Sequence, residues 1–450
     1  MKALLALVLA LASSVGTGVA APVDDLQAIV DAAEPGAVID LPPGTYRGDV
    51  TIDKAITLRG SGQAVIEGTG TGTVVTVLAP DVTLEGLVIR NSGDSLDREH
   101  AGISVKAPRV RVIDSRLEDV LFGIFLYQAP DSEIRGNTVQ SKDLFVARRG
   151  DAIRMWESHR TVVEQNVVDG ARDLVLWFSD DVTIRGNLVS NGRYGLHFMY
   201  SDRALIEENA LIDNSVGAFL MYSDGLRLRR NLISGNNGPS GYGVGLKDMD
   251  GSRLEDNLLV GNRAGVFLDN SPRSVEQTFE GNLIAYNQIG VLFLPSVRGN
   301  TFWNNTFLDN TVQVGVQGGG QFSGNTWTRD GVGNYWSDYA GYDADGDGFG
   351  DVPYRLDDLY DYLLDRNPEL MLFADTPASR ALDLAARAFP VIKPRPKVED
   401  DRPLIEPPAI PDPPVPLPTR SGRDLLAVST LMLGVATATI LSTRHRRSLP

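Results

Sequence analysis

A histidine and a methionine two places apart, His197 and Met199, are followed twenty-two residues later by a second methionine, Met221. An imidazole with two thioethers is a soft donor set suited to Cu(I), and the chain has no cysteine thiolate to compete for it. Core packing would use the same three side chains, so their surroundings must decide. A second set is harder in character. Asp343, Asp345, Asp347 and Asp351 stand at positions 1, 3, 5 and 9 of a hand-type calcium loop, with Gly348 at the sharp turn and the Phe349 carbonyl at position 7. Position 12 is Tyr354, not the bidentate glutamate, so a structural Ca²⁺ would bind weakly or take a ligand from Asp357 or Asp358. A solvated acidic turn is the alternative. A third set, Asp151, Arg154, Asp180 and Asp181, has the carboxylates and base that a polysaccharide lyase or epimerase requires.

The elements that position these residues repeat with a period of roughly twenty-two. Coils opening at Gly123, Ala152, Asp173, Gly195, Gly217 and Gly243 each reach an asparagine fourteen places on, at Asn137, Asn166, Asn187, Asn209, Asn231 and Asn257. Gly265 and Gly290 open two further coils with longer loops, ending at Asn282 and Asn305. This pattern predicts an all-β chain, a right-handed parallel β-helix whose short strands pair coil to coil at about 4.8 Å. Asparagines at one recurring turn are expected to stack into a ladder. A solenoid needs caps, and an amphipathic helix over 23–33 and the segment after Asn325 are expected to supply them.

Register fixes which residues face outward. Positions one and three after each coil start are apolar throughout, from Ile124 and Leu126 to Val291 and Phe293, and Met155 belongs to this inward set. Positions two and four should be polar. Instead they include Phe125, Tyr127, Trp156, Trp177, His197, Met199, Phe219, Met221 and Phe267. An exposed apolar stripe of this length marks a partner or ligand surface, unless the C-terminal extension lies over it. Met199 and Met221 share one column on neighbouring coils, and Met249 lies two residues beyond it. Asp180, Asp202 and Asp224 form an acidic column seven places after their coil starts.

The formal charge of -16 argues against nucleic acid as a partner. Residues 1–20 have the basic start, short apolar run and small residues of a cleaved secretory signal. The solenoid is expected over 21–330, a C-terminal extension with the aspartate loop over 331–389, and a proline-rich spacer over 390–423. Residues 424–443 form an apolar stretch long enough for a single transmembrane helix, with a surface helix as the alternative. The basic tail 444–450 then places the body outside the cytoplasm, in the periplasm and tethered to the inner membrane.

The run from Gly333-Asn-Tyr-Trp-Ser-Asp-Tyr339 to Pro353-Tyr354, and the Met-Tyr-Ser-Asp element at 199–202 and again at 221–224, resemble the NosD family. The resemblance covers roughly residues 23–375. It implies a non-enzymatic periplasmic β-helix protein required for maturation of nitrous oxide reductase. It further implies docking on an ABC transporter permease and ATPase, with a copper chaperone and the reductase as further partners, and copper relayed to a copper–sulfide centre. The membrane-spanning tail departs from the family pattern. A uronate lyase or epimerase is the competing reading, since parallel β-helices often carry such enzymes, but an outward face of Phe, Trp and Met lacks the polar groups that grip a sugar acid. A passive adhesin would leave the soft pair and the tail unexplained.

Overall fold

The computed structural model describes residues 24–415, apart from 296, 320, 321, 375 and 389–395. The expected signal segment, membrane span and basic tail lie outside the described residues. Among the described residues no helix is long and apolar enough to cross a membrane.

The chain winds into a parallel β-solenoid of about twelve turns. One face is a twelve-stranded sheet running in coil order from Val50–Ile52 to Val312–Val316, and it contains the strands Ile153–Trp156, Asp173–Trp177, Tyr194–Met199, Val216–Met221 and Tyr242–Lys247. The expected register holds along it: Ile153 faces Leu174, Leu176 faces Phe198, and Phe198 faces Leu220. These inward residues are completely buried. Burial of each such side chain contributes on the order of 2 kcal/mol, and the stacked coils repeat it many times over.

The asparagines form the expected ladder. From Asn137 to Asn305 each amide nitrogen donates to the side-chain oxygen of the next asparagine at 2.9–3.0 Å, and the last rung is Asn334. The second amide proton goes to a strand carbonyl, such as that of Ile184 from Asn209. Two further ladders accompany it. Asn236, Asn262 and Asn287 pass the same bond along to Asn310, which donates to Gln313. Ser158, Ser179 and Ser201 each donate a backbone N–H to the next serine hydroxyl, at 2.9–3.1 Å.

Both ends are closed. The helix Leu26–Ala32, capped by the Asp25 carboxylate, buries Leu26 and Val30 on the first coils. At the other end Trp336 stacks between Phe307 and Tyr354 at 4.2 and 4.3 Å. The strand Val398–Asp400 then pairs antiparallel with Tyr354–Leu356. Its buried Asp400 accepts from the Asn334 backbone N–H at 2.7 Å and from the Trp336 indole at 3.0 Å, ending the asparagine ladder on a carboxylate. The helix Leu359–Leu364 packs Tyr360 and Leu364 against Val312, with Ile289 alongside. Among the described residues, the extension therefore covers the last coils of the twelve-stranded sheet and does not cover its middle.

Candidate functional site

In the middle of that sheet the strands hold their outward residues in two straight columns. One runs Tyr127, Trp156, Trp177, Met199, Met221 and Lys247, each the direct partner of the next. The other runs Phe125, Arg154, Val175, His197, Phe219 and Gly245. Met199 and Met221 thus face each other across adjacent strands, with His197 two residues before Met199 on the same face. Both methionines are half-buried, and so are Trp156, Trp177 and Phe219. Tyr127 is 40 % exposed.

The stripe is less open than its sequence pattern suggests. Phe125 is only 5 % exposed: the Arg154 guanidinium lies over its ring at 5.0 Å, and Leu96 and Leu144 from two long loops pack against the cluster it forms with Ala101, Leu121 and Phe122. Phe267 is 6 % exposed, because the Tyr242 ring stacks on it at 4.2 Å. These two belong to packing and not to an open surface. Met249 is buried inside the solenoid, since the turn that carries it points inward. It has no route to the Met199–Met221 edge.

His197 is also largely buried. Its ring lies edge-on to Tyr194 at 5.0 Å and to Trp177 at 6.0 Å, and its Nδ1 is 3.6 Å from the Asp173 carboxylate. Asp173 is buried, which disfavours its charge, but His197 and Arg193 outweigh burial and hold its carboxyl below the ordinary range. In the sequence Asp173 stands out only as a coil start, and Tyr194 and Arg193 by themselves carry no signal of a site. The available signal was an arginine, Arg172 and then Arg193, immediately before the first residue of two successive strands of this sheet.

The Met-Tyr-Ser-Asp element acquires a physical meaning in this setting. Met199 and Met221 end their strands on the outer face, and Tyr200 and Tyr222 turn the chain with left-handed φ of 52° and 53°. Ser201 and Ser223 enter the serine ladder. Asp202 and Asp224 each donate a backbone N–H to the carboxylate one coil earlier, at 2.9 and 2.8 Å. Phe178 in the preceding coil follows the same plan, so Phe178, Tyr200 and Tyr222 stack at 5.2 and 5.0 Å. These rings and the Asp180–Asp202–Asp224 column line an open groove of about 620 Å³ beside the methionine pair.

The carboxylates suggested for sugar chemistry do not converge. Asp151 is fully buried ahead of its strand and bound by Arg172 at 3.0 Å. Asp180 and Asp181 lie past the far end of the next strand, and Arg203 binds Asp181 through two nitrogens. The Arg154 guanidinium packs over the Phe125 and Trp177 rings, each at 5.0 Å, and pairs with Glu99.

In the aspartate loop Asp343, Asp345 and Asp347 bring carboxylate oxygens within 4.8 Å of one another, a spacing that fits one hard cation. Asp343 accepts from the Gly346 and Gly348 backbone N–H groups, which hold its carboxyl below the ordinary range. Asp351 points instead to the Ala344 N–H, and Arg402 pairs with Asp347 at 2.7 Å. Phe349 lies against the Arg402 guanidinium at 4.3 Å. Tyr354 is buried with its hydroxyl on Asp338 at 3.1 Å, so it supplies no twelfth ligand.

Comparison with known proteins settles the lineage. Residues 137–341 match a family model described as "Periplasmic copper-binding protein (NosD)". A "Probable ABC transporter binding protein NosD" from Pseudomonas aeruginosa is 34 % identical over 394 residues, covering 82 % of this chain and 88 % of that one. The chain belongs to the NosD family. A second NosD protein of the same description, from Stutzerimonas stutzeri, is 32 % identical over 392 residues, covering 81 % of this chain and 86 % of its own. Among solved structures, the A-module of the mannuronan C-5 epimerase AlgE6 of Azotobacter vinelandii superposes with a TM-score of 0.57 at 18 % identity. It covers 68 % of this chain and 94 % of the module, and at that identity the likeness concerns the fold alone. The family match spans both Met-Tyr-Ser-Asp elements and most of the segment from Gly333 to Asp343.

Proposed function

We propose that this NosD-family chain is a periplasmic, non-enzymatic copper relay for assembly of the nitrous oxide reductase copper–sulfide centre, docked on an ABC transporter permease and ATPase. Its solenoid is right-handed and tethered by the apolar segment 424–443. The reading is carried by one observation: Met199 and Met221 are direct cross-strand partners, half-buried on a stretch of sheet that the described part of the extension does not cover, with His197 on the same face. Two thioethers and an imidazole on a rigid sheet suit transient Cu(I) binding, because a soft, incomplete donor set leaves room for a ligand from a copper chaperone or from the reductase. The family description as copper-binding and the relatives' description as transporter-binding support the same assignment. Tyr127, Trp156, Trp177 and Phe219 form the apolar part of the docking face, and the acidic groove beside the methionines attracts the cation. Asp343, Asp345 and Asp347 hold a structural Ca²⁺ that stiffens the C-terminal extension.

The copper reading is tested by competition titration with a chromogenic Cu(I) chelator. Met199→Leu combined with Met221→Leu keeps the packing volume and is expected to abolish tight binding. An affinity equal to that of the unaltered protein would remove this site. Turnover of uronate polymers at micromolar protein would instead favour a polysaccharide lyase or epimerase.

A further inference from the structure

The strands around His197 bury more charge than a docking surface requires. The carboxylates of Asp151 and Asp173, on neighbouring coils, are both completely shielded from solvent. Asp151 is bound by Arg172, while the Asp173 carboxylate takes the Arg193 guanidinium through Nε at 3.0 Å and also through Nη2. Asp173 accepts a third contact from the Tyr194 backbone N–H at 3.1 Å. His197 lies on its remaining side, with Nδ1 at 3.6 Å from Asp173 Oδ2 and no group of the described residues within hydrogen-bond distance of that buried nitrogen. Tyr194 and Trp177 hold the ring edge-on, so its freedom to turn is small.

An imidazole that binds a metal offers one ring nitrogen, and the hydrogen bond made by the other nitrogen selects which. A carboxylate can only accept. Asp173 beside Nδ1 therefore favours the tautomer with its proton on Nδ1 and leaves the lone pair on Nε2. Closing 3.6 Å to a hydrogen bond needs a movement of about 0.7 Å. We infer that Asp173, itself held by Arg193, is a positioning residue that fixes the His197 tautomer and presents Nε2 to Cu(I) at the Met199–Met221 edge. This inference rests on the copper reading given above.

Two measurements on the full chain test it. Long-range ¹H–¹⁵N NMR of the metal-free protein reads the tautomer directly. The expected result is a proton on Nδ1 in the unaltered protein and a shift towards the Nε2-protonated form, which free histidine favours, in Asp173→Leu. Asp173→Asn keeps the shape and one acceptor for Arg193, and guards against misfolding of the leucine variant. Its Cu(I) affinity is expected to fall about 10- to 100-fold, as for loss of other outer partners of metal-bound histidines. An Nε2-protonated ring in the unaltered protein, or an Asp173→Asn affinity equal to its own, overturns the inference. If the ring is Nδ1-protonated but His197→Ala binds Cu(I) as well as the unaltered protein, the copper role of His197 fails and the inference falls with it. An Nε2-protonated ring in a protein whose Cu(I) binding needs His197 counts against Asp173 alone.

Discussion

Asn209→Leu removes one rung from the middle of the asparagine ladder. Its amide nitrogen donates to the Ile184 carbonyl at 2.9 Å and to the Asn231 side-chain oxygen at 3.0 Å. Its own oxygen accepts the Asn187 backbone N–H at 3.0 Å and the Asn187 side-chain amide at 2.9 Å. Leucine fills nearly the same space and makes none of these bonds. Two donors of Asn187 are then left buried without partners, at about 1–3 kcal/mol each, while the added apolar burial returns roughly 1 kcal/mol. The expected net loss is about 3 kcal/mol. Each coil contacts mainly its neighbours, so the damage should be local. Hydrogen exchange should show faster opening over the coils from Asn166 to Asn231, together with a lower urea midpoint. Asn237→Leu, which removes only an exposed bond to the Gly261 carbonyl, is the control and should change stability by less than about 0.5 kcal/mol. If Asn209→Leu costs no more than the control and leaves protection unchanged, the ladder does not stabilise the solenoid as argued.

Asp400→Ala removes the carboxylate that ends the ladder and is expected to cost about 2–4 kcal/mol, with protease cleavage appearing first around Asn334 and Trp336. Burial pushes the Asp361 carboxyl up to about 7 against the pull of Lys397. The folded chain therefore holds this proton more tightly than the unfolded chain. The stabilisation is fully present below the ordinary value of 3.8 and is lost as the pH rises through about 7. Melting temperatures at pH 5 and pH 8 should differ less in Asp361→Asn than in the unaltered protein; an unchanged difference would contradict this. Millimolar Ca²⁺ should raise the melting temperature, and Asp345→Asn should abolish the increase. Arg402→Ala, by freeing the Asp347 carboxylate, should strengthen the Ca²⁺ response, and a weaker one would show that Arg402 supports the loop instead of competing for it.

The fold was legible because a solenoid repeats its own instructions. The fourteen-residue interval from Gly195 to Asn209, or from Gly217 to Asn231, fixes both the strand register and the ladder. From that register the inward set and the facing of Met199 by Met221 follow without coordinates. The second asparagine ladder was equally periodic, since Asn214, Asn236, Asn262, Asn287 and Asn310 each stand five places after a rung of the first. Its period is harder to see, because these positions follow short strands in turns whose other residues differ from coil to coil. The depth of the stripe was harder to read. Register gives the direction of a side chain but not what loops or neighbouring rings lie above it. Leu96 and Leu144 pack against the cluster that holds Phe125, and Tyr242 covers Phe267, through contacts that no local spacing encodes. The Asp173–His197 approach escaped for a related reason: Asp173 aligns with Tyr194 across an irregularity in the strand pairing, so simple column counting misplaces it.

The central claim is that Cu(I) is held by the two methionines and the histidine of this face. X-ray absorption at the copper edge of the Cu(I)-loaded protein tests it most directly. Two sulfur scatterers and one nitrogen are expected around the copper, with both sulfurs lost in the Met199→Leu, Met221→Leu protein and the nitrogen lost in His197→Ala. A shell made only of nitrogen and oxygen, or one left unchanged by those substitutions, would contradict it.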